Sequence, residues 1–327
     1  MLALLAGTPP QLAADRASVP VAELTELAER YQAAGRAAIA SDPAATDWHQ
    51  VEIEFPDRYT AERTVATQVA PRLRQAEDQG FLTSWWYIRK TPHWRLRLRT
   101  NESPARMRAF VTQMLDELTS KQLLVAWSPG IYEPESCAFG GTEGMELAHR
   151  LFHADSAHAL AYLRHSGTQP DPQSPLLGRR ELSVLLCSAL LRATGQDWHE
   201  QADVWQRVTR MRPLDTKVPR NRLLGMAGQV HRLLALDIER TAGSIDGQDP
   251  LAPARPWFGA MTEGGVALRS LARTGLLRRG LRDVLAHHVI FHWNRLGLTT
   301  TVQALLAHAA TVTMLDTAVD DTAGTRW

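Results

Sequence analysis

The chain has 327 residues, 36 Lys plus Arg against 35 Asp plus Glu, and a formal net charge of +1. That length holds one large domain or two modest ones, and the neutral balance sets up no global field toward nucleic acid or anionic membrane. Two cysteines, Cys137 and Cys187, exclude a disulfide framework and a four-cysteine zinc site, and no apolar run approaches the roughly 20 residues of a membrane span.

The opening MLALLAGTPP lacks the basic segment and the apolar length of a signal peptide, so a reducing, cytoplasmic setting is expected. Residues 1–45 read as a small helical unit, two short helices around a Val-Pro turn, with Leu24, Leu27, Tyr31 and Ala34 at helical spacing. The outline resembles a helix-turn-helix, but Glu23, Glu26 and Glu29 on the second helix would repel phosphates. SDPAATD, 41–47, is the expected linker.

Residues 46–140 have a sheet rhythm. WHQVEIEF alternates, with Val51, Ile53 and Phe55 on one face and Gln50, Glu52 and Glu54 on the other. YTAERTVATQVAPRLRQAEDQG predicts one helix ending at Gly80. FLTSWWYIRK and HWRLRLR predict two strands with a Thr-Pro turn between them. A second helix follows, with Ser103 as N-cap and Pro104 at its first position, and LLVAWSPGIYE predicts a fourth strand. The order β-α-β-β-α-β predicts an α+β, ferredoxin-like antiparallel sheet. Residues 141–320 read as helical and packed on that sheet, with segments near 143–164, 178–194, 197–211, 219–241, 258–275, 279–294 and 299–315. Pro-rich stretches at 168–175 and 246–256 separate them, and the last residues are expected to fray. Residues 46–320 read as one catalytic unit.

Three clusters carry chemistry. Arg95, Arg97 and Arg99 share one strand face, with Arg89 on the neighbouring strand; they suit carboxylates, or else they are salt-bridged to Glu52 and Glu54. His288 and His292 share a helix face with Arg295 nearby, either a proton donor and acceptor beside an anion site or a buried, partnered histidine. His149 and His153, four apart and followed by Asp155 and His158, have zinc-like spacing but no HExxH base and no clear third ligand. Gly140, Gly141 and Gly144 form a short Gly-rich turn ahead of a helix, a weak anion-binding signal.

Three stretches together resemble one family: WWYIRKTPHWRLRLR (85–99), GIYEPESCAFGGTEGMELAHRLFHADS (130–156) and HHVIFHWNRLGL (287–298). LGRRELSVLLCSALLRATGQDW (177–198) fits it too. They look like thiopeptide-type bacteriocin biosynthesis proteins, related to the C-terminal domain of class I lanthipeptide dehydratases. The resemblance implies maturation of a ribosomal peptide. One activity in that superfamily eliminates glutamate from glutamylated Ser or Thr to leave dehydroalanine or dehydrobutyrine. Another joins two dehydroalanines in a formal [4+2] cycloaddition that yields a pyridine and expels the leader peptide. A third reading is a non-catalytic subunit that holds a leader peptide, through 1–45 or by strand addition at a free sheet edge.

The resemblance suggests Arg89 as the glutamyl-carboxylate anchor and His292 as the proton-transfer residue. Arg97, Arg99, Arg295 and Tyr132 join as expected substrate-binding residues. The implied partners are a precursor peptide with its leader and a glutamyl-tRNA-dependent glutamylating subunit, with no membrane and no direct nucleic acid. No metal, nucleotide or organic cofactor is expected. One departure stands out: the dehydratases carry R-E-x-E-R-Y-G-G where this chain has Pro134 to Gly141, so Pro134 and Ala138 replace two arginines.

Overall fold

The structure is a computed structural model that describes residues 8–40, 48–90, 93–167, 177–215, 220–236 and 251–323. Two helices come first, α1 (Pro10–Ala17) and α2 (Val21–Ala40). Ser18 turns the chain between them in the left-handed conformation, with φ 55. They meet through Ala13, Ala14 and Leu24. The expected stripe is only partly covered: Leu27 and Tyr31 stay 42% and 52% exposed. Eight-residue α1 makes about two turns, too short to cover the later turns of α2. The linker at 41–47, the Thr-Pro turn and the Pro-rich stretch at 168–175 lie outside the described residues.

The sheet follows. Strand β1 (Trp48–Glu54) leads into α3 (Arg58–Thr64), a π-helical turn (Val65–Val69) and α4 (Ala70–Asp78). The sequence predicts one unbroken helix here. Pro71 explains the difference: its ring crowds the carbonyl of Thr67 and it has no N–H to give, so the helix widens just ahead of it. Asp57 caps α3, accepting from the Thr60 amide at 2.9 Å. Strands β2 (Ser84–Lys90) and β3 (His93–Arg99), helix α5 (Pro104–Ser120) and strand β4 (Ala126–Gly130) complete the unit. Ser103 caps α5 with Pro104 at its first position, as the sequence predicts. The strand order β2-β3-β1-β4, antiparallel throughout, is the ferredoxin-like arrangement.

Period-two alternation gives the sheet two different faces. Val51, Ile53, Trp85, Tyr87, Leu96 and Leu98 pack against α3, α4 and α5. Trp48, Trp86 and Ile88 point the other way, into the helical core. Trp85 and Trp86, adjacent and both fully buried, thereby tie the sheet to both layers. Burying a large apolar side chain contributes about 2–3 kcal/mol.

The helical layer comprises α6 (Thr142–Gly167), α7 (Arg179–Ala193), α8 (Trp198–Met211), α9 (Arg220–Ala235), α10 (Arg255–Arg273), α11 (Leu281–Leu296) and α12 (Thr300–Ala323). Helix α12 continues to Ala323, past the 315 at which its periodicity weakens. Helix α6 runs along the outer edge of β2. There Ser156 Oγ takes the Tyr87 amide at 3.3 Å, and His153 Nδ1 lies 2.9 Å from the Trp85 carbonyl oxygen. Arg295 of α11 donates to the Tyr87 carbonyl at 3.2 Å, and Tyr87 Oη donates back to the Arg295 carbonyl at 3.1 Å. The Gly-rich turn is not an open anion cradle. A side chain at Gly140 (φ +87) would meet Leu277 at 2.6 Å, so its glycine serves close packing. Among the described residues no helix is long and apolar enough to cross a membrane.

Candidate active site

Helix α11 is buried on nearly all sides, which fits its weak amphipathic pattern. His292 and Arg295, one turn apart on it, both reach Asp155 of α6. Asp155 accepts from His292 Nδ1 at 2.9 Å, from Trp257 Nε1 at 2.8 Å and from Arg295 Nη1. All three charged or titratable members are almost fully enclosed: Asp155 is 2% exposed, His292 4% and Arg295 1%. Burial pushes the Asp155 carboxyl upward, but the facing His292 and Arg295 outweigh it and hold the group well below the usual carboxylate range. A carboxylate only accepts, so His292 carries its hydrogen on Nδ1. Its Nε2, without a hydrogen-bond partner among the described residues, is the nitrogen left for proton exchange. A cavity of about 10 Å³ adjoins it, bounded by Cys187, His288 and Met261.

Arg89 sits elsewhere. It lines a cleft of about 630 Å³ together with Arg58, Lys90, His93, Trp94 and Gly297. Its Nε donates to the Arg295 carbonyl at 2.9 Å, its Nη1 meets Glu62 at 2.5 Å, and its guanidinium lies 4.2 Å from the Trp94 ring. Gly297 closes α11 in the left-handed conformation (φ +77), and a side chain there would strike Arg89 Nη1 at 2.4 Å. Arg89 and His292 therefore do not share a cavity. Arg295 joins them: its guanidinium pairs with Asp155 and its carbonyl receives Arg89.

The arginine face of β3 divides three ways. Arg95 pairs with Glu52 at 2.9 Å, the salt-bridged alternative. Arg99 pairs with Glu146 at 3.1 Å. Arg97 has neither; it is 4% exposed, held by Gln50 Oε1 at 2.7 Å and sandwiched between the Trp86 and Tyr132 rings at 4.1 and 4.4 Å. Burial lowers it to about 10. Tyr132 Oη lies 2.6 Å from His149 Nε2, and burial raises the phenol well above its ordinary value. Arg97, Arg99 and Tyr132 thus form one neighbourhood, while Arg295 is an internal ion-pair partner.

The zinc-like histidines diverge. His149 turns to Tyr132 and His153 to β2, and among the described residues no group of three or more His, Cys, Asp or Glu is placed to hold a metal ion. Sequence reasoning misses Asp155, Glu62, Arg179 and Trp257 in these roles. The HADS run offers a signal for Asp155; Glu62 and Arg179 have none, being ordinary charges on helices.

Burial lowers His149 to about 4 and His288 to about 3. Both are neutral in the folded chain at neutral pH, against about 6.5 when unfolded. A depressed histidine contributes stability that is present above the unfolded value and lost as pH falls toward the folded one. Denaturant midpoints are therefore expected to drop from pH 6.5 toward 4, each group adding up to about 1.4 kcal/mol per pH unit. His288→Phe should flatten that slope.

Residues 48–314 match the family described as lantibiotic biosynthesis dehydratase C-terminal. The chain belongs to that family. Solved structures share the family fold. The tRNA-dependent lantibiotic dehydratase MibB from Microbispora sp. 107891 superposes with TM-score 0.59 at 19% identity, over 85% of this chain and 29% of that one. TsrL gives TM-score 0.52 at 16% identity, over 84% and 95% of the two chains. TbtD, a pyridine synthase from thiomuracin biosynthesis, gives 0.53 at 14%, over 83% and 98%. The chain thus spans under a third of MibB's length. No curated protein matches the chain by sequence. At one of the two positions where the R-E-x-E-R-Y-G-G pattern carries arginines, this family member sets Ala138 against the helical core.

Proposed function

We propose that this chain matures a ribosomal peptide by eliminating glutamate from glutamylated Ser or Thr. The observation that carries the reading is the His292–Asp155 pair. It is an imidazole fixed at one nitrogen by a carboxylate and unpartnered at the other, inside a site closed to bulk water. The step balances without oxidant or reductant. His292 Nε2 takes the Cα proton, the C–H electrons become the Cα=Cβ bond, the Cβ–O bond breaks, and glutamate leaves as a carboxylate. Arg89 holds the free side-chain carboxylate of the glutamyl group in the cationic cleft. Arg89 and His292 line different cavities, so the reading requires the two to be brought onto one substrate as it enters. The substrate is supplied by a partner that glutamylates the precursor peptide.

A second reading has its own support. Pro134 and Ala138 stand where the eliminating domains carry arginines, and the chain aligns with 98% of the pyridine synthase TbtD. On that reading the chain joins two dehydroalanines and releases the leader. Mass spectrometry of a glutamylated precursor peptide, with and without this chain, separates the two. Loss of glutamate to give dehydrated residues supports elimination. An unchanged glutamyl mass rejects it, and ring closure with leader loss on a dehydroalanine peptide then establishes the second reading.

A further inference from the structure

Three guanidiniums converge on one carboxylate beside the large cleft. Glu62 Oε1 takes Arg89 Nη1 at 2.5 Å, Arg179 Nη1 at 2.8 Å and Arg58 Nε at 3.2 Å, while Oε2 takes Arg179 Nη2 at 2.9 Å. The Arg179 contact is the two-pronged geometry with which guanidinium recognises carboxylate. The same arginines also grip the end of α11. Arg89 donates to the carbonyl of Arg295 at 2.9 Å, Arg179 to that of Leu296 at 3.3 Å, and Arg58 to that of Gly297 at 2.5 Å. Backbone therefore holds all three in place independently of Glu62.

At this carboxylate one negative charge faces three positive ones, and the adjoining cleft carries Lys90 as well as the carboxylate of Asp57. Glu62 stays ionised at any working pH. Burial raises it, but the hydrogen bonds and charges of Arg179 and Arg89 bring it down to about 2. Only exchange with another anion, not protonation, can release its partners. Its side chain is chemically the free end of a glutamyl ester, a carboxylate on two methylenes.

We propose that Glu62 is a built-in stand-in for the substrate carboxylate, occupying the guanidinium site that a glutamyl group takes over. This rests on the elimination reading, in which Arg89 receives that carboxylate. The consequence is weak retention of free glutamate, because each departing product is replaced by a residue of the chain itself.

Isothermal titration of the full chain with L-glutamate, and with L-glutamine as the neutral control, tests it. Glu62→Gln keeps the volume and removes the charge. It is expected to bind L-glutamate about tenfold more tightly than the parent chain, with L-glutamine unchanged. Glu62→Asp keeps the charge but cannot reach both prongs of Arg179, and is expected to fall between the two. Unchanged or weaker glutamate binding by Glu62→Gln overturns the proposal, as does no detectable binding to any of the three proteins. Loss of fold in both variants overturns it too, since the backbone contacts then fail to hold the arginines. Elimination is scored separately by mass spectrometry. Tighter binding without elimination rejects the reaction and keeps the glutamate site; elimination without tighter binding rejects only the stand-in role.

Discussion

Asp155→Asn is expected to cost about 3–5 kcal/mol of stability, the range for removing one partner of a buried ion pair. Asn keeps the size of the side chain and loses the charge. Arg295, 1% exposed, is left as a buried cation facing an amide NH2 in place of its carboxylate oxygen, while the remaining amide oxygen still accepts from His292 and Trp257. Against a total of about 5–15 kcal/mol, that is a large share of the margin. Chemical denaturation of parent and variant measures it, and a loss below 1 kcal/mol would show the triad to be dispensable for folding. Acid acts on the same group. The folded carboxyl is held below its unfolded value of about 3.9, so its contribution is complete above that pH and fades as pH falls below it.

His292→Ala should behave in the opposite way. Asp155 keeps Arg295 and Trp257 as donors, so no charge is stranded and the fold is expected to persist. Activity is where the loss should appear. Removing a positioned acid–base group slows the step it serves by about 10²–10⁴-fold. Under the elimination reading, glutamylated peptide accumulates at that ratio while binding of the peptide is retained. Dehydrated product at the parent rate, from a variant with an unchanged unfolding midpoint, would remove His292 from the chemistry. The contrast is informative because the two residues touch: one variant damages folding and the other damages turnover.

The features legible in the sequence are those written locally. Alternation over 48–54 and 93–99 predicts strands, Ser103-Pro104 marks a helix start, and the helical segments after 141 follow from their periodicity. Arg89 and His292 are expected in their roles only through the family resemblance; in the structure Arg89 donates to the Arg295 carbonyl and His292 pairs with Asp155. What the sequence hides is pairing across distance. Asp155 is 137 residues from His292, and Glu62 is 117 from Arg179, so no window shows either partnership. The three arginines of β3 look alike in the sequence, yet their fates differ because each meets a different neighbour: Glu52, a Trp86–Tyr132 sandwich, or Glu146. The π-helical turn is legible only in hindsight, through Pro71.

Side chains at 153, 156 and 295 stand along β2 where a fifth strand would stand. An edge finished this way cannot template another chain, which protects the sheet from fibrillar self-association. At the far side, Pro129 withholds a donor from β4. Neither edge therefore invites an extended peptide to lie down along its backbone. Under the proposed reading, a guest is gripped through the appended acyl group instead of its main chain, and a grip of that kind is indifferent to register. One enzyme can then serve many positions along the same precursor, whatever residues flank them.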